Sequence, residues 1–183
     1  MIKKLFLIVV FVSFLAELSS AQTFQGSTLI GGTGTLHIGT GNNKGMLLML
    51  SPRIGTFLAD DLAVGATVPL SLYAYANSTT TSVGLSPFVR GYFGATTTRL
   101  LVEGRIGVQR FAYNSDNTNF NDNSSAFTYG IGIGAVHFIS EQVGLELLLS
   151  YDNSGNNDAI LTMANLTGIN LNVGFQIYLP SAK

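Results

Sequence analysis

The side chains able to do chemistry are few, and most lie where chemistry is awkward. Arg53, Arg90, Glu103, Arg105, Glu146 and Arg110 all fall inside otherwise apolar or small-residue stretches. An enzyme needs a nucleophile, a base and an orienting group within reach of one another. With 2 histidines in the chain, His37 and His137 are the candidate bases, and His37 falls near a long polar connection while His137 falls near a short turn, so they do not share a site. Ser150 and His37 are the one pair that a lipid-modifying enzyme could use at an outer rim, and no motif aligns them. The segment GIGIGA, Gly130 to Ala135, matches the G-x-G-x-x-A dinucleotide pattern in form. That fingerprint requires a strand-to-helix turn that lays a pyrophosphate on a helix N-terminus. Here the glycines recur at every second position with no helix after them, which suits inward positions that make room for bulky neighbours. DNSGNND, Asp152 to Asp158, clusters oxygen ligands as a calcium loop does, but its glycine is misplaced and no closing glutamate follows. It reads as a solvated loop, with weak cation binding by Asp116, Asp122, Asp152 and Asp158 as the alternative. No catalytic residue, cofactor or metal is expected.

The elements that must carry these residues are strands. In LAVGATVPLSLYAY, Leu62 to Tyr75, one parity holds Leu62, Val64, Ala66, Val68, Leu70, Leu72 and Ala74, and the other holds only small or polar residues, Pro69 and two tyrosines. A period of two is a strand with one apolar face; a helix would scatter both sets and break at Pro69. The proline costs a ladder hydrogen bond, so a bulge or a site near the rim is expected there. The same rhythm gives about eight strands, near the smallest number used by outer-membrane barrels: residues 27–38, 46–58, 62–75, 83–94, 99–113, 126–139, 143–151 and 166–179. Short connections, ADD, ATTT and SEQ, alternate with longer polar ones, GTGNNKG, ANSTTTS, NSDNTNFNDNSS and DNSGNNDAILTMAN. That alternation is expected of an up-and-down meander threaded through a bilayer from one side.

Composition decides which face meets water. Charged residues make up only 10% of the 183, net charge is −1 and cysteine is absent. Soluble domains carry roughly a quarter charged residues, and a soluble barrel would need many of them outside. No basic patch exists for nucleic acid. The polar parity therefore faces a narrow lumen and the apolar parity faces lipid, and closure of the sheet satisfies the backbone within hydrocarbon. Counted from the short turns, Arg53, Arg90, Glu103 and Glu146 fall in one layer, with Arg90 opposite Glu103 and Arg105 one inward step above. A buried network of this kind must satisfy itself; it reads as a structural plug, with a gate or small-ion path as the alternative. Arg110 breaks the pattern, since it lies on the lipid parity near the long-loop end. There it either meets lipid phosphate or lies beyond the bilayer.

The first residues, MIKKLFLIVVFVSFLAELSSAQ, follow the basic, apolar and small-residue order of a secretory signal peptide, with cleavage expected after Ala21. The apolar run is shorter than the roughly 20 residues of a spanning helix. The chain then reads as residues 1–21, a signal, and residues 22–183, one barrel domain.

Four segments carry a family likeness: SPRIGTFLADDLAVGATV (Ser51 to Val68), SPFVRGYF (Ser86 to Phe93), VHFISEQVGLELLLSYDN (Val136 to Asn153) and NVGFQIYL (Asn172 to Leu179). In order and turn spacing they resemble the Bacteroidetes-type outer membrane protein beta-barrel domain family, within the wider group of small barrels that includes OmpX and the OmpA membrane domain. The resemblance covers essentially the whole chain after the signal. It implies an all-β, eight-stranded antiparallel barrel in the cell outer membrane, surrounded by outer-membrane lipids and expected to be a monomer. It also implies insertion by the barrel-assembly machinery, with Phe175, Ile177, Tyr178 and Leu179 of the last strand as the assembly signal. The chain departs from the usual aromatic ending, because Pro180, Ser181, Ala182 and Lys183 follow. The family carries no shared catalytic residues. The functional expectation is therefore a non-enzymatic envelope or surface-interaction barrel, with three alternatives: a narrow pore or lateral uptake path for small solutes, a lipid-modifying enzyme, and a soluble periplasmic binding barrel.

Overall fold

A computed structural model describes residues 23–39, 45–75, 78–115, 120–154 and 167–181. These form nine strand segments: β1 (Thr28–Gly39), β2 (Gly45–Ala59), β3 (Leu62–Thr67), β4 (Leu70–Tyr75), β5 (Ser78–Phe93), β6 (Thr98–Ser115), β7 (Phe120–Phe138), β8 (Val143–Ser154) and β9 (Gly168–Leu179). Each pairs antiparallel with its neighbours, and β1 pairs with both β2 and β9, so the sheet closes on itself. Segments β3 and β4 are the two halves of one strand, which makes this a closed barrel of eight strands.

The break at Val68 and Pro69 is where the expected bulge should stand, but the structure has none there and Pro69 lies in mid-strand. Arg53 pairs with Thr67 and Leu50 with Leu70, so the register passes through the proline unchanged. The reason is local. Val68 N–H still donates to Pro52 O and Gly84 N–H to Pro69 O, so only the bond that proline cannot donate is missing. Opposite the ring stands Gly84, where a Cβ would come within 3.1 Å of Pro69 Cγ. The sheet's register irregularity lies elsewhere, between Phe57 and Ala59 at the Asp60–Asp61 turn, where Asp61 takes a φ of 62°.

The alternation of short and long connections holds only in part. ANSTTTS is not a long loop: Thr79 to Ser82 are ladder residues of β5, and Tyr75 pairs directly with Ser78. Nor is most of NSDNTNFNDNSS a loop, because Asn114 and Ser115 pair with Asn121 and Phe120 as β6 and β7 extend upward together. Threonine is β-branched and suits a strand, and the neighbouring serines and asparagines, which favour turns, join the ladder once an adjacent strand offers partners. The remaining loop residues, 40–44, 76–77, 116–119 and 155–166, lie outside the described set.

Burial alternates along the strands with the expected parity; β8, for example, buries Gly144, Glu146, Leu148 and Ser150 and exposes Leu145, Leu147 and Leu149. The exterior is an apolar belt that includes Ile54, Val89, Ile106, Ile131, Leu147 and Leu171. Inside, the short-turn end is filled by Phe57, Tyr92, Phe138 and Tyr178, packed with Leu29, Ala63, Leu101 and Val136. Below this floor the chain from Thr23 to Ser27 folds across the mouth. Asp61 N–H donates to Thr23 O, Gln25 N–H to Asp60 Oδ1 and Gly26 N–H to Phe57 O.

Candidate functional site: the lumen charge network

Above the aromatic floor the barrel holds four fully inward charges. Arg90, on β5, is the hub: its guanidinium donates to Glu103 Oε2 through Nε at 2.9 Å and through Nη2, and to both carboxylate oxygens of Glu146. Arg53 reaches Glu103 Oε2 at 2.7 Å and stands 3.8 Å from Glu146. Arg90 and Glu103 are direct cross-strand partners. Each of these four side chains is at most 1% exposed. Arginine suits such a site because its planar fork can bond two carboxylates at once. Phe88 lies between the two like charges, with the Arg53 and Arg90 guanidinium carbons 5.5 Å and 5.8 Å from its ring centre. The ring lies over Gly55 and Gly65, which pair with each other and leave room for it.

Arg105, one inward step above, donates to Glu103 Oε1 at 2.8 Å and to Asp152 Oδ1 through Nε at 3.0 Å. Asp152 also accepts from Ser150 at 2.8 Å and from Asn170 at 3.1 Å, and Asn172 donates to Ser150 at 3.1 Å. The sequence pattern places Asp152 in a solvated loop, and the structure corrects this. Asp152 is a strand residue paired with Gly130 and Gly168, and its carboxylate belongs to the lumen. It shares the inward parity of Glu146, Leu148 and Ser150, so extending β8 by one inward step would have found it. The described lumen charges then balance, three arginines against Glu103, Glu146 and Asp152.

Gly130 makes the upper pair possible. It stands between Arg105 and Asp152, paired with each, on the strand that separates theirs. A Cβ there would collide with Asp152 Oδ1 and come within 3.1 Å of Arg105 Nε. The GIGIGA glycines are thus inward positions, and at Gly130 the missing side chain lets Arg105 and Asp152 bridge across β7. Gly130→Ala is expected to destabilise the barrel by about 1–3 kcal/mol through overpacking. Gly104→Ala, outward on β6 with nothing within 4 Å of the added carbon, should be neutral or slightly stabilising. Urea unfolding midpoints of the two variants in the same vesicles check the contrast.

Above the network lies a cavity of about 70 Å³ with mixed walls, lined by Met49, Pro69, Ser86, Arg105, Asp152 and Asn172 among others. It has room for a few waters. Ser150 is 2% exposed, holds its place in this lumen network and does not stand at an outer rim. His137 faces outward near the short turns, with Nδ1 2.8 Å from Thr98 Oγ1. The side chains of His37 and Asp122, and all of Asp116 and Asp158, lie outside the described residues. Among the described residues no group of His, Asp and Glu is arranged to hold a metal ion.

A second cluster went unnoticed in the sequence. Arg99, at the foot of β6, donates to Asp61 and to Thr23 Oγ1, and Thr23 Oγ1 donates to Asp61 Oδ1. It ties the incoming chain to the first short turn.

The closed barrel has counterparts in fold among solved structures. The fold is that of the small eight-stranded outer-membrane barrels. The N-terminal beta-barrel domain of Pseudomonas aeruginosa OprF matches with a TM-score of 0.57 and 16% identity, over 85% of this chain and 98% of that one. Neisserial surface protein A (NspA) matches with a TM-score of 0.55 and 12% identity, over 82% and 94%. At these identities the likeness is one of fold. No family model matches the sequence, and no curated protein does.

Proposed function

We propose that this protein is an integral outer-membrane barrel without catalytic activity that contributes to envelope integrity or to surface interactions, its lumen being a plug. One observation carries the reading: the described ion-pair network faces inward, while the wall presents aliphatic and aromatic side chains. A wall of that kind is stable in hydrocarbon and would drive association in water. The plug reading rests on two layers in series, the Arg/Glu network and the aromatic floor beneath it. Residues 1–21 act as a signal in this reading. The kinship with the Bacteroidetes-type family belongs to it as well, as does the role of Phe175, Ile177, Tyr178 and Leu179 as assembly signal. Strand β9 supports that role by pairing with β1 and completing closure.

The test is an outer-membrane fraction run in SDS with and without boiling. A membrane-resident band that changes mobility on boiling, with an N-terminus at Gln22, is the expected result. A soluble periplasmic protein with no shift would remove the reading in favour of a soluble binding barrel. In planar bilayers the protein is expected to give no channel steps; steady conductance that responds to Glu103→Gln would favour the pore.

A further inference from the structure

Among the described outward-facing positions of the wall, one residue is charged: Arg110 on β6, which is exposed. No described carboxylate forms an ion pair with it. Its cross-strand partners are Val83 and Ser125, both facing outward. Just below stand Val108 and Phe127, which are exposed and apolar; above, Thr81 and Asn123 are exposed and polar. Arg110 therefore stands at a sharp polarity boundary.

The height of that boundary can be estimated. The lower edge of the belt on β6 is marked by Leu100, beside Thr98 and its outward hydrogen bond to His137. Ten residues separate Leu100 from Arg110 along one strand. At about 3.3 Å per residue and a tilt near 40°, the rise is roughly 25 Å, the height of the apolar band of such barrels. Arg110 thus reaches the upper headgroup level, where an arginine costs far less than at the midplane. The aromatic rings of Phe127 and Tyr129, 6.5 Å apart and both outward, stand just below it, where an interfacial girdle belongs.

We infer that Arg110 binds the phosphate of a lipid headgroup in the outer leaflet, with the lipid's chains against the Val108, Phe127 and Tyr129 wall. The inference rests on the membrane reading above. A guanidinium at this level is open to lipid and has no counter-ion among the described residues, and phosphate matches its fork by two parallel charge-assisted bonds. The apolar wall beneath commits the site to a lipid over free phosphate.

The test uses the full chain purified from membranes into dodecyl maltoside, comparing wild type, Arg110→Gln and Arg110→Lys. Native mass spectrometry measures retention of phosphatidic acid against diacylglycerol with the same chains. Wild type should prefer the phosphorylated lipid about tenfold, as expected for one strong charge-assisted contact. Arg110→Gln should lose that preference and Arg110→Lys should keep part of it. Equal preference in Arg110→Gln overturns the inference. So does displacement of the lipid by millimolar inorganic phosphate, which would mark a site for the free anion. The heat-modifiable band separates the two claims: a variant that keeps the band and the lipid preference defeats the Arg110 site alone, whereas wild type without the band defeats the barrel reading and the site together.

Discussion

Arg90→Ala is expected to lower the unfolding free energy of the barrel by about 3–5 kcal/mol, the range for removing one partner from a buried ion pair. The loss is concentrated on one group. Glu103 keeps Arg53 and Arg105 as partners, whereas Glu146 is left with Arg53 at 3.8 Å. A carboxylate buried without a good partner bears the desolvation cost of a charge that nothing offsets. The expected pattern in urea titrations from lipid vesicles is therefore asymmetric. Arg90→Ala should be severe, and Glu146→Leu milder, since Arg90 retains Glu103. The double variant Arg90→Ala with Glu146→Leu should be less destabilised than the sum of the two. Strict additivity in that double-mutant cycle would mean the two side chains are not coupled, contrary to their contact.

Tyr178→Ala should cost a similar amount, about 3–5 kcal/mol, by the rule for removing a large buried aromatic ring. Tyr178 is 0% exposed, packs 4.9 Å from the Phe138 ring centre and 6.2 Å from those of Phe57 and Tyr92, and pairs its hydroxyl with Tyr92 at 3.2 Å. The ring is the greater part of this. Tyr178→Phe removes only the hydroxyl contact and should cost about 1 kcal/mol. Tyr178 also belongs to the strand expected to carry the assembly signal, so the two roles need separating. Refolding from urea into vesicles, without any assembly machinery, reads the packing effect alone; folding yield in cells reads both. A Tyr178→Ala barrel as stable as wild type in vesicles would show that the four-ring floor is not what seals the short-turn end.

The two glycine variants make the same argument from the opposite direction. Gly130 on β7 and Gly104 on β6 are both strand glycines, yet one stands beneath an ion pair and the other faces outward with no atom within 4 Å of an added carbon. Parity alone tells them apart, and the size of the difference comes from the bridge over Gly130.

The sequence by itself determined the strand count, the parity of each strand, the inward placement of Arg53, Arg90, Glu103, Arg105 and Glu146, and the cross-strand pairing of Arg90 with Glu103. Those features follow from the period of two and from the short turns, both of which are local. Only the tertiary structure decided the rest. Closure by β1 and β9 joins residues far apart in the chain. Thr79 to Ser82 and Asn121 to Ser125 became ladder because neighbouring strands offered partners, which for the asparagines and serines overrode a turn preference. Asp152 entered the lumen because β8 continued past Tyr151, a matter of pairing with β7 and β9. Pro69 left the register intact because Gly84 stands across from its ring. That Glu146 depends on Arg90 and Asp152 on Arg105 was likewise invisible in the sequence, since shear between strands sets those distances and shear is a property of the closed barrel.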